Sequence, residues 1–317
     1  MKPKNKTMIQ LNNNQKQSIV DALLEQRKNF DGTDEQFSQS FGINYSVYSR
    51  LKTISSSPKG GGREGAFDGL LRENKWVDLG YELNVEVNRP KWNIVRTEVY
   101  QMIEEEILFC KKHSKSRICV DNSDIGKSTA AKHLSKTLKN CFYIDMSQCS
   151  GKIEFIKTLA KAVGINPNGK IAELKAKTKY MLRILPEPVV ILDEAGDMKY
   201  ETFLICKEYW NGTEGAAGWY MIGADALREW IERGKRNRKV GFYEMFNRYG
   251  ANYTVLTPGD NKEKIAFYKK LVTDVVKANL KDKNKLNAIV AKVFVKNEDT
   301  GEYSGLRRIE SLLLLNQ

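Results

Sequence analysis

Histidine is nearly missing from this chain of 317 residues, with only His113 and His133 present. A catalytic triad therefore has little material, and both histidines are expected on a helix surface or in packing. The five cysteines, Cys110, Cys119, Cys141, Cys149 and Cys206, show no CxxC spacing and stand mostly among apolar neighbours. That pattern argues against zinc clusters and disulfides and for reduced thiols in a core. No stretch approaches the roughly 18 apolar residues that span a bilayer, and the run at 312–315 is only part of a helix face, so no membrane partner is expected. The N-terminus opens with Lys2 and Lys4 but continues in Asn and Gln, without the apolar segment of a signal peptide, so the expected location is cytoplasmic. Acidic residues are in deficit, 39 against 52 Lys plus Arg, and the net charge of +13 makes a polyanion the natural partner, nucleic acid ahead of an anionic membrane surface. Internal repeats and long low-complexity tracts are also missing. What is present, 41% apolar and 29% charged residues, matches an ordinary folded chain with a core of normal size.

Ile19, Val20, Leu23 and Leu24 recur at helical spacing in residues 15–28, and Thr33 suits the N-cap of a second helix. Phe37 and Phe41, Gly42 at the turn, Ile43 behind it, and Tyr48 and Leu51 on a third helix form the apolar skeleton of a helix-turn-helix in residues 1–54. The tight turn calls for positive φ, which Gly42 adopts at little steric cost. A helix over 45–52 would face the major groove, offering Asn44, Tyr45, Ser46, Ser49 and Arg50 to base edges and phosphates. The alternative is a three-helix module for protein contacts. Residues 55–65, with three serines, a proline and four glycines, favour a flexible connection, and 55–90 is expected to be a linker.

From Ile94 the pattern alternates. An amphipathic helix carries Ile94, Val95, Val99, Met102, Ile103, Ile107 and Leu108 and leads to a strand at 118–120. Helices follow at 127–138, 152–163 and 171–185, and strands at 141–146, 189–192, 219–222 and 253–256, with helical sequence beyond Pro258. The fold class expected is α/β, a mainly parallel sheet covered by helices.

Between the first strand and its helix stands Val120-Asp121-Asn122-Ser123-Asp124-Ile125-Gly126-Lys127-Ser128-Thr129, the context of a phosphate-binding loop. Backbone N–H groups of Asn122 to Thr129 would cradle phosphate oxygens. Lys127 would reach the β and γ phosphates, and the Ser128 hydroxyl would ligate Mg2+. Asp121 stands where the pattern GxxxxGK[ST] has its first glycine, an extra carboxylate that weakens phosphate binding unless it points away. Val189 to Leu192 then ends in Asp193-Glu194. Asp193 would hold the metal shell near Ser128, and Glu194 would polarise the attacking water as general base.

With the segment Met221-Ile222-Gly223-Ala224-Asp225-Ala226-Leu227, these motifs resemble the AAA+ ATPases from about Ile94 onward. Adding the helix-turn-helix, the order of modules is similar to the Mu B family of ATPases that select target DNA for transposases. The resemblance implies ATP and Mg2+ as cofactors, an ATPase core over 91–258 and a helical lid over 259–317. It also implies duplex DNA and a transposase as partners, and a homo-oligomer as ring or filament. A polar residue normally senses the γ phosphate where Ala224 stands, leaving Asp225 as a substitute and implying slow hydrolysis. Arg248, in Phe246-Asn247-Arg248-Tyr249, is the candidate for an arginine lent to a neighbouring subunit. In Ser304-Gly305-Leu306-Arg307-Arg308-Ile309, Arg307 fits best as the lid arginine aimed at the phosphates, with Arg308 beside it. Arg233, Lys235, Arg236, Arg238 and Lys239 form a basic run that would track a DNA backbone. Two other functions share these features: an AAA+ helicase loader, and a nucleotide-regulated DNA-binding module with little hydrolysis.

Overall fold

The computed structural model of the chain describes residues 10–28, 30, 32–57, 63–83, 85, 92–295, 303 and 305–315. Two compact units divide the chain, 1–91 and 92–317. In the first, α1 (Asn13–Lys28), α2 (Asp34–Ser40), α3 (Tyr45–Ser56) and α4 (Glu73–Glu82) surround one core. Thr33 starts α2 with a capping box: its hydroxyl accepts the Gln36 N–H at 3.2 Å, and the Gln36 side chain accepts the Thr33 N–H at 2.9 Å. At the other end of α2 the Gly42 N–H donates to the Gln39 carbonyl and the Ile43 N–H to the Ser38 carbonyl, both at 2.9 Å. These are the two bonds of a Schellman turn, and Gly42 takes φ +60 to make them. Phe37, Ile43, Tyr48 and Leu51 are buried behind that turn.

The expected linker over 55–90 needs correction, because α4 lies within it. Phe67, Leu70, Trp76, Leu79 and Leu83 all join the core of this unit. Trp76, Leu79 and Leu83 are spaced three and four apart, a short apolar stripe that buries one helix face. Lys16, buried on α1, places its ammonium 2.7 Å from Glu73 and ties α1 to α4. Residues 58–62, 84 and 86–90 of the stretch lie outside those described.

The second unit runs α5 (Glu98–His113), β1 (Ser116–Val120), α6 (Lys127–Thr137), β2 (Cys141–Asp145), α7 (Lys152–Ala162), α8 (Ile171–Ile184), β3 (Val189–Asp193), α9 (Tyr200–Gly212) and β4 (Gly218–Gly223). It continues through α10 (Asp225–Arg236), α11 (Phe242–Arg248), β5 (Tyr253–Thr254), α12 (Asn261–Asn279), α13 (Leu286–Val293) and α14 (Leu306–Leu314). The five strands form one all-parallel sheet in the order β2-β3-β4-β1-β5, so the fold is α/β with helices flanking the sheet. Alternate strand residues serve opposite faces. Ile118, Val190, Leu192, Trp219 and Met221 enter one core, and Cys119, Val189, Ile191, Tyr220 and Ile222 the other. Burial on both faces explains why these strands read as continuous apolar runs. Helices α12 to α14 share a smaller core of Val272, Val276, Ile289, Val293 and Ile309.

All five cysteines are buried free thiols, and desolvation pushes Cys110, Cys119 and Cys141 up to about 12, leaving them protonated at neutral pH. His133 packs in place, with its Nδ1 2.9 Å from the Tyr100 hydroxyl. Among the described residues no helix is long and apolar enough to cross a membrane.

The strand order positions the site. From β1 the chain crosses to β2 at one edge, whereas from β4 it passes to β5 at the other edge. The adjacent strands β1 and β4 thus send their chains in opposite directions, which opens a crevice at their carboxyl ends. Open α/β sheets bind ligands at such switch points.

Candidate functional site

The loop after β1 lies at this switch point. Gly126, at φ +96, is the N-cap of α6, and no side chain caps that helix. Its first N–H groups therefore point out of the helix without intrahelical partners. Lys127, only 7% exposed, folds back so that its ammonium donates to the carbonyls of Asp121 at 2.8 Å and Asn122 at 2.5 Å. Lys127 makes no ion pair among the described residues. Desolvation draws its pKa below the ordinary lysine value, while the charges of Asp121, Asp193 and Glu194 act in the opposite sense. Ile125 is buried and anchors the loop in the core beneath α5 and α6. Ser128 is half-buried, and Ser123 and Thr129 are exposed.

The Asp121 side chain turns from the loop toward the segment after β5. Its carboxylate accepts the N–H groups of Leu256 and Thr257, both at 2.6 Å, the Thr257 hydroxyl at 2.8 Å and the Asn122 N–H at 2.6 Å. Those bonds also explain why β5 stops at Thr254 instead of Leu256: the next N–H groups go to a side chain, not to the β1 ladder. Nor does the position need a glycine backbone. The positive-φ residues of the loop are Asp124 at +66 and Gly126, and Asp121 is not one of them.

Asp193 ends β3, one strand beyond β4 and so two strand spacings, about 10 Å, from β1. Its buried carboxylate accepts the Tyr143 hydroxyl at 2.6 Å and the Glu194 N–H at 3.0 Å. Burial and the Asp193 charge raise the Tyr143 pKa, so this hydroxyl stays a donor. Glu194 sits at φ +50, a left-handed conformation rare outside glycine and often found at functional sites. Desolvation and the neighbouring Asp193 and Asp197 raise its pKa above the usual glutamate range, with the Lys127 charge opposing them. Ala224, after β4, starts α10 without a side-chain cap. Asp225 is turned to solvent, 4.0 Å from Arg228.

Helices α12 and α14 reach the loop at several points. Tyr268 of α12 holds the Asn122 side chain at 3.0 Å. The Arg307 N–H donates to Asp124 Oδ1 at 2.8 Å, and Arg307 Nε lies 3.9 Å from the same oxygen. Of the two adjacent arginines, both exposed, it is therefore Arg307 that meets the loop. Ser304 lies outside the described residues. The contacts of Tyr143, Tyr268 and Asp124 escaped the sequence reading. An acidic residue two positions before Gly126 and a glycine two positions before Arg307 were the available signals.

Arg248 is held within its own chain. Its guanidinium pairs with Glu244 at 2.6 Å and stacks 4.3 Å from the centre of the Trp210 ring. It is therefore not a freely solvated cation at the end of α11. Of the basic run, Arg233, Arg236, Arg238 and Lys239 are exposed. Lys235 pairs with Glu232 at 2.9 Å and sits over Phe246, and Lys239 lies over Tyr200. Lys235, Arg238, Lys239, Tyr243 and Asn247 line an open groove of ≈ 530 Å³. Tyr243 and Asn247 were not read from sequence, since only the α10–α11 packing brings them beside the cations. In the first unit, Tyr45, Ser49 and Arg50 are exposed. Asn44 is occupied as the N-cap of α3, accepting the Ser46 N–H and hydroxyl at 2.9 Å each.

Compared with protein-family models and with curated proteins, the chain matches none.

Proposed function

We propose that the chain is an ATP-dependent, DNA-binding ATPase of the AAA+ kind that oligomerises on duplex DNA and delivers it to a transposase. One observation carries this reading: the Lys127 ammonium is desolvated at the uncapped start of α6, yet meets only two neutral carbonyls. A buried cation lacking a counter-charge is costly, and a polyphosphate would supply that charge where helix-start N–H groups also converge.

The residues present fit ATP with Mg2+. Asn122 to Thr129 offer the backbone donors, Lys127 the charge, Ser128 a hydroxyl and Asp193 a buried carboxylate for the metal shell. When bound, Mg2+ neutralises charge on the phosphate oxygens. Glu194 is the base: its raised pKa makes the carboxylate a better proton acceptor once ionised. Arg307 serves the phosphates from the lid, and Arg248 serves a neighbouring copy. Duplex DNA lies along Arg233, Arg236, Arg238 and Lys239, while Tyr45, Ser49 and Arg50 of α3 enter the major groove as the reading helix of a helix-turn-helix.

The test combines nucleotide binding, turnover and electron microscopy with duplex DNA. Lys127→Ala is expected to weaken ATP binding by about 10- to 100-fold, the value of a charge-assisted hydrogen bond. Glu194→Gln is expected to bind ATP and fail to turn it over. Rings or filaments should form only with ATP, and equal DNA coating without nucleotide would refute the switch. A second reading, a nucleotide-regulated DNA-binding module with little hydrolysis, is favoured by Ala224, which brings no polar atom to the end of β4. Turnover that stays negligible with DNA present would select it.

A further inference from the structure

Asp124 belongs to the phosphate loop, three residues before Lys127, but its bonds go to the lid. Its carbonyl accepts the Leu306 N–H at 2.9 Å, and its carboxylate accepts the Arg307 N–H at 2.8 Å. An acidic side chain of the loop thus caps the first turn of α14, where a negative charge is favoured. The fit leaves no slack. A Cβ on Gly305 would stand 2.4 Å from the Asp124 carbonyl oxygen and 2.5 Å from its Oδ2, so only glycine permits the approach. A Cβ on Gly126 would meet Leu306 Cδ1 at 3.1 Å. The Arg307 side chain is 83% exposed, with its Nε 3.9 Å from the carboxylate, so it is tethered loosely enough to change partners.

We propose that Asp124 is a clasp that holds α14 and Arg307 on the phosphate loop, and that a nucleoside triphosphate opens it by competing for Arg307. The proposal rests on the nucleotide reading of the loop given above. The loop then carries two opposed groups: the buried, unpaired Lys127, which attracts phosphate, and the Asp124 carboxylate, which repels it. Triphosphate binding is favoured most when Arg307 leaves Asp124. The lid helix then loses its cap and moves with the nucleotide state. Burial, which raises the Asp124 pKa against the pull of Arg307, adds to the cost of keeping an unscreened carboxylate there after Arg307 has left. Asp124 acts through the lid and is a positioning residue.

The test uses the full chain as wild type, Asp124→Asn and Asp124→Gly, both compatible with φ +66. Two readouts are taken: the affinity of a fluorescent ATP analogue, and hydrogen exchange at the Leu306 and Arg307 amides with and without ATP. In the wild type, ATP should speed exchange at both amides. In Asp124→Gly the Arg307 amide, which loses its carboxylate acceptor, should exchange fast without ATP, whereas the Leu306 amide keeps its backbone acceptor, and the analogue should bind about tenfold more tightly. Asp124→Asn, which keeps an acceptor without the charge, should tighten binding while retaining part of the protection. Unchanged protection on ATP binding, or no tightening in either variant, overturns the clasp alone. No nucleotide binding by the wild type overturns the loop reading, and the clasp with it.

Discussion

Replacing Asp121 by glycine restores the residue expected in the phosphate-loop pattern, yet it should damage the protein. Asp121 is 5% exposed, and its carboxylate accepts four hydrogen bonds, three of them from Leu256 and Thr257. A hydrogen bond to a charged group contributes about 1.5–3 kcal/mol net. Water and a longer β1–β5 ladder would recover part of four such bonds, so a loss of about 3–5 kcal/mol is expected, the scale for removing one member of a buried charged network. In a unit of this size each kcal/mol lowers Tm by roughly 2–4 °C, giving a fall of about 10 °C. Tryptophan fluorescence during melting follows this unit well, since Trp92, Trp210, Trp219 and Trp230 lie in it and only Trp76 lies in the other. Asp121→Asn, which keeps one acceptor oxygen, should fall between. Because the carboxylate faces Leu256 and Thr257, its removal should not tighten ATP binding. A Tm within about 2 °C of wild type, or a tenfold gain in ATP affinity, would refute the strut argument.

Three further outcomes follow from the same geometry. The raised pKa of Glu194 means that ionising it costs the fold. This penalty is absent below the ordinary glutamate pKa and complete above the raised one. Glu194→Gln should therefore raise Tm near neutral pH and leave it unchanged near about pH 4, and the acid limb of wild-type turnover should lie above the ordinary carboxylate range. Arg248→Ala should cost about 0.5–2 kcal/mol of stability through the lost contact with Trp210. Its turnover should fall by about a thousandfold and return when the variant is mixed with Glu194→Gln chains, whose intact arginine can complete its sites; a mixture as inactive as its parts would exclude the neighbour role. Gly234→Ala should cost about 1–3 kcal/mol, because the new Cβ would stand 2.4 Å from the Phe242 ring, and DNA affinity measured by anisotropy should drop as the groove distorts.

The parts legible in the sequence are those encoded over a few residues. A strand followed by Gly126-Lys127-Ser128, a buried strand closing in Asp193-Glu194, and Gly42 between two short helices each carry their signal within one turn or strand. The missing parts depend on residues far apart in the chain. Asp121 meets Leu256 at a separation of 135 residues, and Asp124 meets Arg307 at 183. Local propensity contains neither contact, so the sequence left open which way the Asp121 carboxylate points and which lid arginine reaches the loop. Helix α4 was missed for another reason. The helix is only ten residues long and follows a Gly/Ser-rich lead, so composition outweighed periodicity.

The sheet itself argues for how copies must meet if Arg248 completes a site. Arg248 stacks on Trp210, whose indole N–H donates to Ser116 Oγ at 2.8 Å, and Ser116 is the first residue of β1. The loop that carries Asp121 to Gly126 follows Val120, the last residue of that strand. Five residues of strand span about 16 Å, so the arginine and its own loop lie at opposite ends of the sheet. Glu244, the ion-pair partner of Arg248, also lines the basic groove, so groove and arginine share one end. Head-to-tail contacts would bring the Arg248 end of each copy to the loop of the next while presenting every groove to DNA in the same sense. A two-fold pair would turn alternate grooves in opposite directions and stop at two. Mass photometry with ATP and duplexes of increasing length should therefore give species beyond the dimer whose size grows with the duplex. A species fixed at two copies on every length would rule out the head-to-tail arrangement.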